Sequence, residues 1–148
     1  MKNYTINQNT LALIPLGKKK TVIYENHDCY IIDEKISKIM DHNCQYNGSS
    51  LEGRVKGTYT LTGFNYKAPI MVSEDKNLVF FPTCSPRLKD CSWINVGNIK
   101  KLYSKENKCL VEFLNEECLE IDESFRIIQN QYLKSLSLQN AFKNIKNS

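Results

Sequence analysis

Gly48-Ser49-Ser50-Leu51-Glu52-Gly53-Arg54-Val55-Lys56-Gly57-Thr58 holds three of the six glycines in this 148-residue chain. Glycine and serine punctuate turns, so residues 48–57 read as a turn region leading into a strand from Thr58 to Phe64. The spacing of Gly48 and Gly53 invites comparison with a nucleotide-binding loop. There, a lysine reaches the terminal phosphates and a hydroxyl holds magnesium. Arg54 and Val55 occupy those two places here. The order helix–loop–strand also reverses the strand–loop–helix that such a loop requires, which argues against triphosphate hydrolysis. Two readings of the run stay open. One is a helix stop and turn with ordinary surface cations. The other is a backbone clamp or minor-groove probe, in which glycines admit a phosphate, Ser49 and Ser50 donate hydroxyls, and Arg54 and Lys56 supply charge.

Upstream, Asp33 suits a helix N-cap. Ile36, Ile39, Met40, Asn43 and Cys44 then fall on one helical face, and Gly48 suits the left-handed stop. The pattern predicts an amphipathic helix over 34–47. Before it, Leu11–Ile14, Thr21–Tyr24 and Cys29–Ile32 read as strands in hairpins, with Gly17-Lys18-Lys19-Lys20 as a basic turn. Downstream, Ile70–Val72, Leu78–Phe81 and Ser92–Ile94 read as short strands. Cys109–Phe113 and Cys118–Ile121 flank an acidic hairpin turn. From Ser124 the period becomes helical. Phe125, Ile128, Tyr132, Leu136 and Phe142 form a stripe that Leu133, Leu138, Ala141 and Ile145 broaden, with no glycine or proline. The expected fold is α+β: mostly antiparallel short strands, one central helix and a long C-terminal helix over about 124–146, in one domain covering residues 1–148. The C-terminal stripe either packs on the domain's own sheet or joins a second copy.

The formal charge is only +4, but it is unevenly spread. Residues 53–105 carry nine basic and three acidic side chains, while 106–123 carry one basic and seven acidic. A basic middle is compatible with a nucleic-acid surface or with ordinary solvated faces. No apolar run approaches the roughly 20 residues of a membrane helix, and the N-terminus lacks a signal-peptide core. The expected compartment is cytoplasmic. Six cysteines there are expected to be reduced and to serve as small apolar side chains. No Cys-x-x-Cys pair marks a zinc site, and His27 and His42 stand beside single cysteines only. No local signature joins a nucleophile to a base. Neither an enzyme, a metal nor a cofactor is expected. Arg87 and Lys89 lie on a loop before Trp93, where a basic loop can track phosphates. Trp93 itself reads as core or as a partly exposed stacking aromatic.

Taken together, these blocks resemble the ComK proteins of Gram-positive bacteria. Gly48-Ser49-Ser50-x-Glu52-Gly53-Arg54-x-x-Gly57-Thr58 is similar to the family's central signature. Thr10–Pro15, Tyr66–Val72, Phe80-Phe81-Pro82-Thr83, Ser85, Cys91, Trp93-Ile94 and Asn130-Gln131 follow in the family's order, so the resemblance covers about residues 4–143. Ala68 and Gln129 depart from it, standing where proline and glutamate are usual. The tail is shorter than in the longer Bacillus members, where it serves control by an adaptor and a protease.

The resemblance implies a DNA-binding activator of competence genes. Such proteins recognise AT-rich boxes largely through the minor groove, as a homodimer or higher oligomer, with RNA polymerase as a further contact. On that implication Ser49, Ser50, Arg54, Lys56, Lys67, Arg87 and Lys89 are the candidate DNA-binding residues, Arg54 being the first choice for a groove-inserted side chain. Tyr132, Leu136 and Phe142 are the candidates for self-association. No sequence signal marks a helix-turn-helix recognition helix. The alternative is a protein-interaction module without sequence-specific DNA binding, using the acidic hairpin.

Overall fold

A computed structural model describes residues 4–147. Among the described residues, nine strands form two antiparallel sheets. The larger has the order β3-β2-β1-β6-β5-β4, from Asp28–Ile32, Lys20–Glu25, Thr10–Leu16, Trp93–Asn95, Leu78–Pro82 and Ile70–Ser73. The smaller is β7-β8-β9, from Ile99–Lys105, Lys108–Phe113 and Cys118–Ile121. Helices α1 (Ile36–Tyr46) and α2 (Leu51–Thr62) lie between β3 and β4 in the chain, and α3 (Phe125–Lys146) closes it. The α+β class and the long C-terminal helix agree with the sequence reading.

Edge strand β3 is largely exposed, whereas the β4–β6 half of the large sheet is buried on both faces, and β5 shows how. Its alternation sends Leu78 and Phe80 into one core and Val79 and Phe81 into the other. The first core lies under α1, with Ile36, Ile39, Met40 and Cys44 packing on Leu13, Ile23, Phe80 and Trp93. Trp93 is therefore a core residue. The second joins Leu11, Phe81 and Ile94 to Val111 and Phe113 of the small sheet and to Ile128 and Leu138 of α3. Each fully buried phenylalanine contributes about 1.5–3 kcal/mol relative to an exposed one. Asn43 is polar on the buried face of α1, but it is satisfied. Its amide donates to the Tyr4 and Ile39 carbonyls and its oxygen accepts from Ile6 N–H, tying the N-terminal segment to the helix.

Three expectations are corrected. Residues 51–62 are helix α2, not a turn followed by a strand, so two helices occupy the middle of the chain. Ser50 is its N-cap, accepting from Gly53 N–H at 2.9 Å, and Asp41 on α1 accepts from Leu51 N–H at 2.8 Å. A Cβ at Gly53 would lie 2.7 Å from Ser49 Oγ and 3.1 Å from Ser50 Oγ, so this glycine makes room for the cap rather than for a turn. The first helix begins at Ile36 with Lys35 at its N-cap position, not Asp33. Gly48 does take the left-handed conformation that ends it, at φ +81°. Finally, Cys84 and Cys91 are joined as a disulfide instead of remaining reduced. They sit just beyond the paired ends of β5 and β6, where the antiparallel strands bring their Cα atoms to 5.5 Å, inside disulfide range. Cys44 and Cys109 are free and buried, as expected of apolar cysteines, whereas Cys29 and Cys118 are free and exposed.

Candidate nucleic-acid interface

The connection from α2 to β4, residues 63–69, is held by side chains that bind its carbonyls. Thr58 on α2 donates its hydroxyl to the Pro69 carbonyl at 2.6 Å. Gln131 on α3 donates to the Lys67 carbonyl at 2.8 Å, and Lys134 donates to the Tyr66 carbonyl at 3.1 Å. With three carbonyls engaged, Tyr66 is left 58% exposed and Lys67 half-buried. Lys67 holds a left-handed φ of +50°, uncommon for a residue with a side chain.

Opposite this connection stands the loop 84–91. Between the two lies a groove of about 290 Å³. Leu51 and Val55 of α2 and Trp93 give it an apolar floor, while Lys67 and Arg87 bring cations to it. Lys67 also borders a second groove with Phe64, Asn130 and Lys134 along α3. Partial burial, and then the charge of Lys67, hold Lys134 below its ordinary pKa. An anion placed there would relieve that repulsion.

Not every candidate converges on this place. Lys67 and Arg87 do, and α2, which carries Lys56, forms one wall. Lys56 is itself exposed and pairs with Glu52 one turn back at 3.3 Å. Lys89 faces away, toward a depression containing Glu120, Asp122 and Glu123. Ser50 is engaged as the cap of α2, and Ser49 packs against Gly53. Arg54 turns inward, its side chain 12% exposed. Nη1 lies 3.5 Å from Glu74, and Nη2 donates to the Asn47 carbonyl at 3.3 Å. It braces the α1–α2 connection against the β4–β5 turn. Tyr66 and Lys134 border these grooves and are not among the candidates that the sequence reading named. An aromatic next to a lysine at Tyr66-Lys67 was the available signal. Lys134 looked like any solvated helix cation.

The family model described as "ComK protein" matches residues 1–146. This chain belongs to the ComK family. The "Competence transcription factor" of Bacillus subtilis (strain 168) is 31% identical to it, over 97% of this chain and 77% of that one. No solved structure matches it. Membership in the ComK family gives the pinned connection and the groove a context, because the blocks that carry them, Tyr66–Val72 and Phe80–Ile94, are among those by which the sequence resembles that family. None of the described helices is long and apolar enough to cross a membrane.

Proposed function

We propose that this protein is a DNA-binding transcriptional activator of competence genes, acting in the cytoplasm, and that it reads AT-rich boxes largely through the minor groove. The observation that carries the reading is the convergence of Lys67 and Arg87 on one groove beside the exposed Tyr66, on a connection fixed by Thr58, Gln131 and Lys134. A-tracts narrow the minor groove and deepen its negative potential, which favours inserted cations. Readout there separates A·T from G·C, so specificity comes from box spacing and DNA shape. Lys56 extends the positive surface along α2 toward flanking phosphates, Lys89 lies on the far side of loop 84–91, and Ser49, Ser50 and Arg54 shape the start of α2 beneath the groove. Catalysis is no part of this proposal.

The active form is a homodimer or a pair of dimers joined through α3. Tyr132 and Phe142 pack partly on the second core, so Leu136, 39% exposed, and its neighbour Leu133, 53% exposed, offer the free part of the stripe. RNA polymerase is the further partner at the promoter.

Competition on an AT-rich duplex tests the groove. A drug that fills the minor groove should displace the protein, whereas a major-groove ligand should leave it bound. The reverse pattern contradicts the proposal.

A further inference from the structure

We infer that Cys84 and Cys91 are a reversible oxidation site, and that their state sets how firmly the loop carrying Arg87 and Leu88 engages DNA. The inference rests on the DNA-binding reading above and adds regulation to it.

Loop 84–91 joins β5 to β6. At its neck Thr83 N–H donates to the Ser92 carbonyl at 2.9 Å. Inside it, Leu88 and Lys89 N–H point at the Ser85 carbonyl at 3.1 and 3.4 Å. The Lys35–Asp90 pair reaches it at 3.9 Å, between side chains 49% and 27% exposed. Such a solvated pair contributes little. The disulfide is therefore the strongest constraint on the loop. It closes a ring between residues seven apart and removes most of the freedom that the segment would otherwise have. That ring is also one wall of the groove. Pro86, Arg87 and Leu88 face Leu51, Val55 and Lys67 across it, and Leu88 is 82% exposed.

A protein that works on chromosomal DNA meets a thiol-rich solution, in which disulfides are mostly transient or redox-sensing. The exchange needs only a dithiol. One of its thiolates attacks Cys84 Sγ, Cys84 being the less buried of the two residues, and Cys91 leaves as a thiolate and takes up a proton. The second thiol then attacks the mixed disulfide. Cys84 is released as a thiol and the reductant departs as its own cyclic disulfide, having given up two electrons. A small-molecule disulfide reverses the sequence. In the reduced form the loop must be ordered at the moment of binding, which weakens the complex.

The test uses the full chain, oxidised or treated with dithiothreitol, titrated against an AT-rich duplex. Alkylation after denaturation should label four cysteines in the oxidised form and six in the reduced one. Reduction should weaken binding roughly tenfold. The double variant Cys84→Ser/Cys91→Ser should bind like the reduced form and ignore dithiothreitol. Equal affinity of both forms overturns the inference, as does a redox response that survives in the double variant. Trypsin reports the loop without DNA, and cutting after Arg87 should quicken on reduction. If it quickens while neither form binds the duplex, the fault lies in the DNA-binding reading and the proposed control falls with it. If cutting is unchanged, the loop is not under disulfide control.

Discussion

Gln131 donates its side-chain amide to the Lys67 carbonyl at 2.8 Å, across 64 residues of chain. The same nitrogen reaches the Pro82 carbonyl, also at 2.8 Å. One buried side chain on α3 thus fixes the connection that carries Lys67 and the strand end from which loop 84–91 departs. The cationic groove is a consequence of how α3 docks.

Replacing Gln131 with leucine keeps the volume but removes both donors. Two carbonyls then lose a buried partner, at about 1–3 kcal/mol for each left unsatisfied. We expect urea unfolding to show a loss of about 2–6 kcal/mol, and DNA affinity to fall even where the variant is folded. A variant of wild-type stability would mean that water replaces the amide.

Lys67→Ala and Arg87→Ala remove charges at the groove without touching the core. Each should leave the thermal midpoint within a degree or two, and together they should weaken DNA binding by tenfold or more. The slope of log affinity against log salt should flatten by about 0.9 for each phosphate no longer neutralised. An unchanged slope in the double variant would mean that other cations neutralise the phosphates.

Arg54→Ala should act chiefly on stability. Its guanidinium is mostly enclosed and bonds the Asn47 carbonyl, so its loss should cost about 1–2 kcal/mol. Equilibrium unfolding and anisotropy on the same sample separate the two effects. A drop in affinity with no change in stability would restore Arg54 as a side chain that enters the groove.

Much of this architecture is legible in the sequence. Short apolar runs rich in β-branched and aromatic residues place β1 to β6 and the β8–β9 hairpin, and the stripes mark α1 and α3. Strand β7 escapes the pattern because Ile99 is its one buried residue and lysines fill its outer face. Helix α2 escapes it because Gly53 and Gly57 each lower helix propensity by about 1 kcal/mol. Its signals are weaker but present: Ser50 as a cap, Glu52 in the first turn, and Leu51, Val55 and Thr58 along one side. The groove could not be read, because it depends on a glutamine reaching two carbonyls from distant segments. Nor does sequence reveal whether an arginine turns inward, as Arg54 does.

Self-association makes a separate prediction. Leu136→Glu places a charge on the outer side of α3, away from Ile128 and Leu138. Light scattering should show a monomer of wild-type helicity. A dimer that survives this change and Leu133→Glu together would exclude α3 as the interface.

Alkaline pH probes the first core. Burial pushes the Cys44 thiol from its ordinary 9.0 to about 12, with Asp41 adding to the rise and Arg54 opposing it. Burial and the hydrogen bond to Glu25 also push the Tyr4 hydroxyl upward. Both groups keep their protons longer in the folded chain. The stability they contribute is complete below the unfolded values and is lost as pH rises from about 9 toward 12. Urea midpoints should therefore fall across that window, and less steeply in Cys44→Ala.

The most direct test of the central claim is fluorescence anisotropy on two duplexes, titrated across salt. One carries an A-run and a T-run spaced about one helical turn apart, and the other has those boxes replaced by G·C. Tight, salt-sensitive binding to the AT duplex alone is the expected result. Equal and weak binding to both duplexes would contradict it, reducing the cationic groove to general attraction for anions and favouring an interaction module in its place.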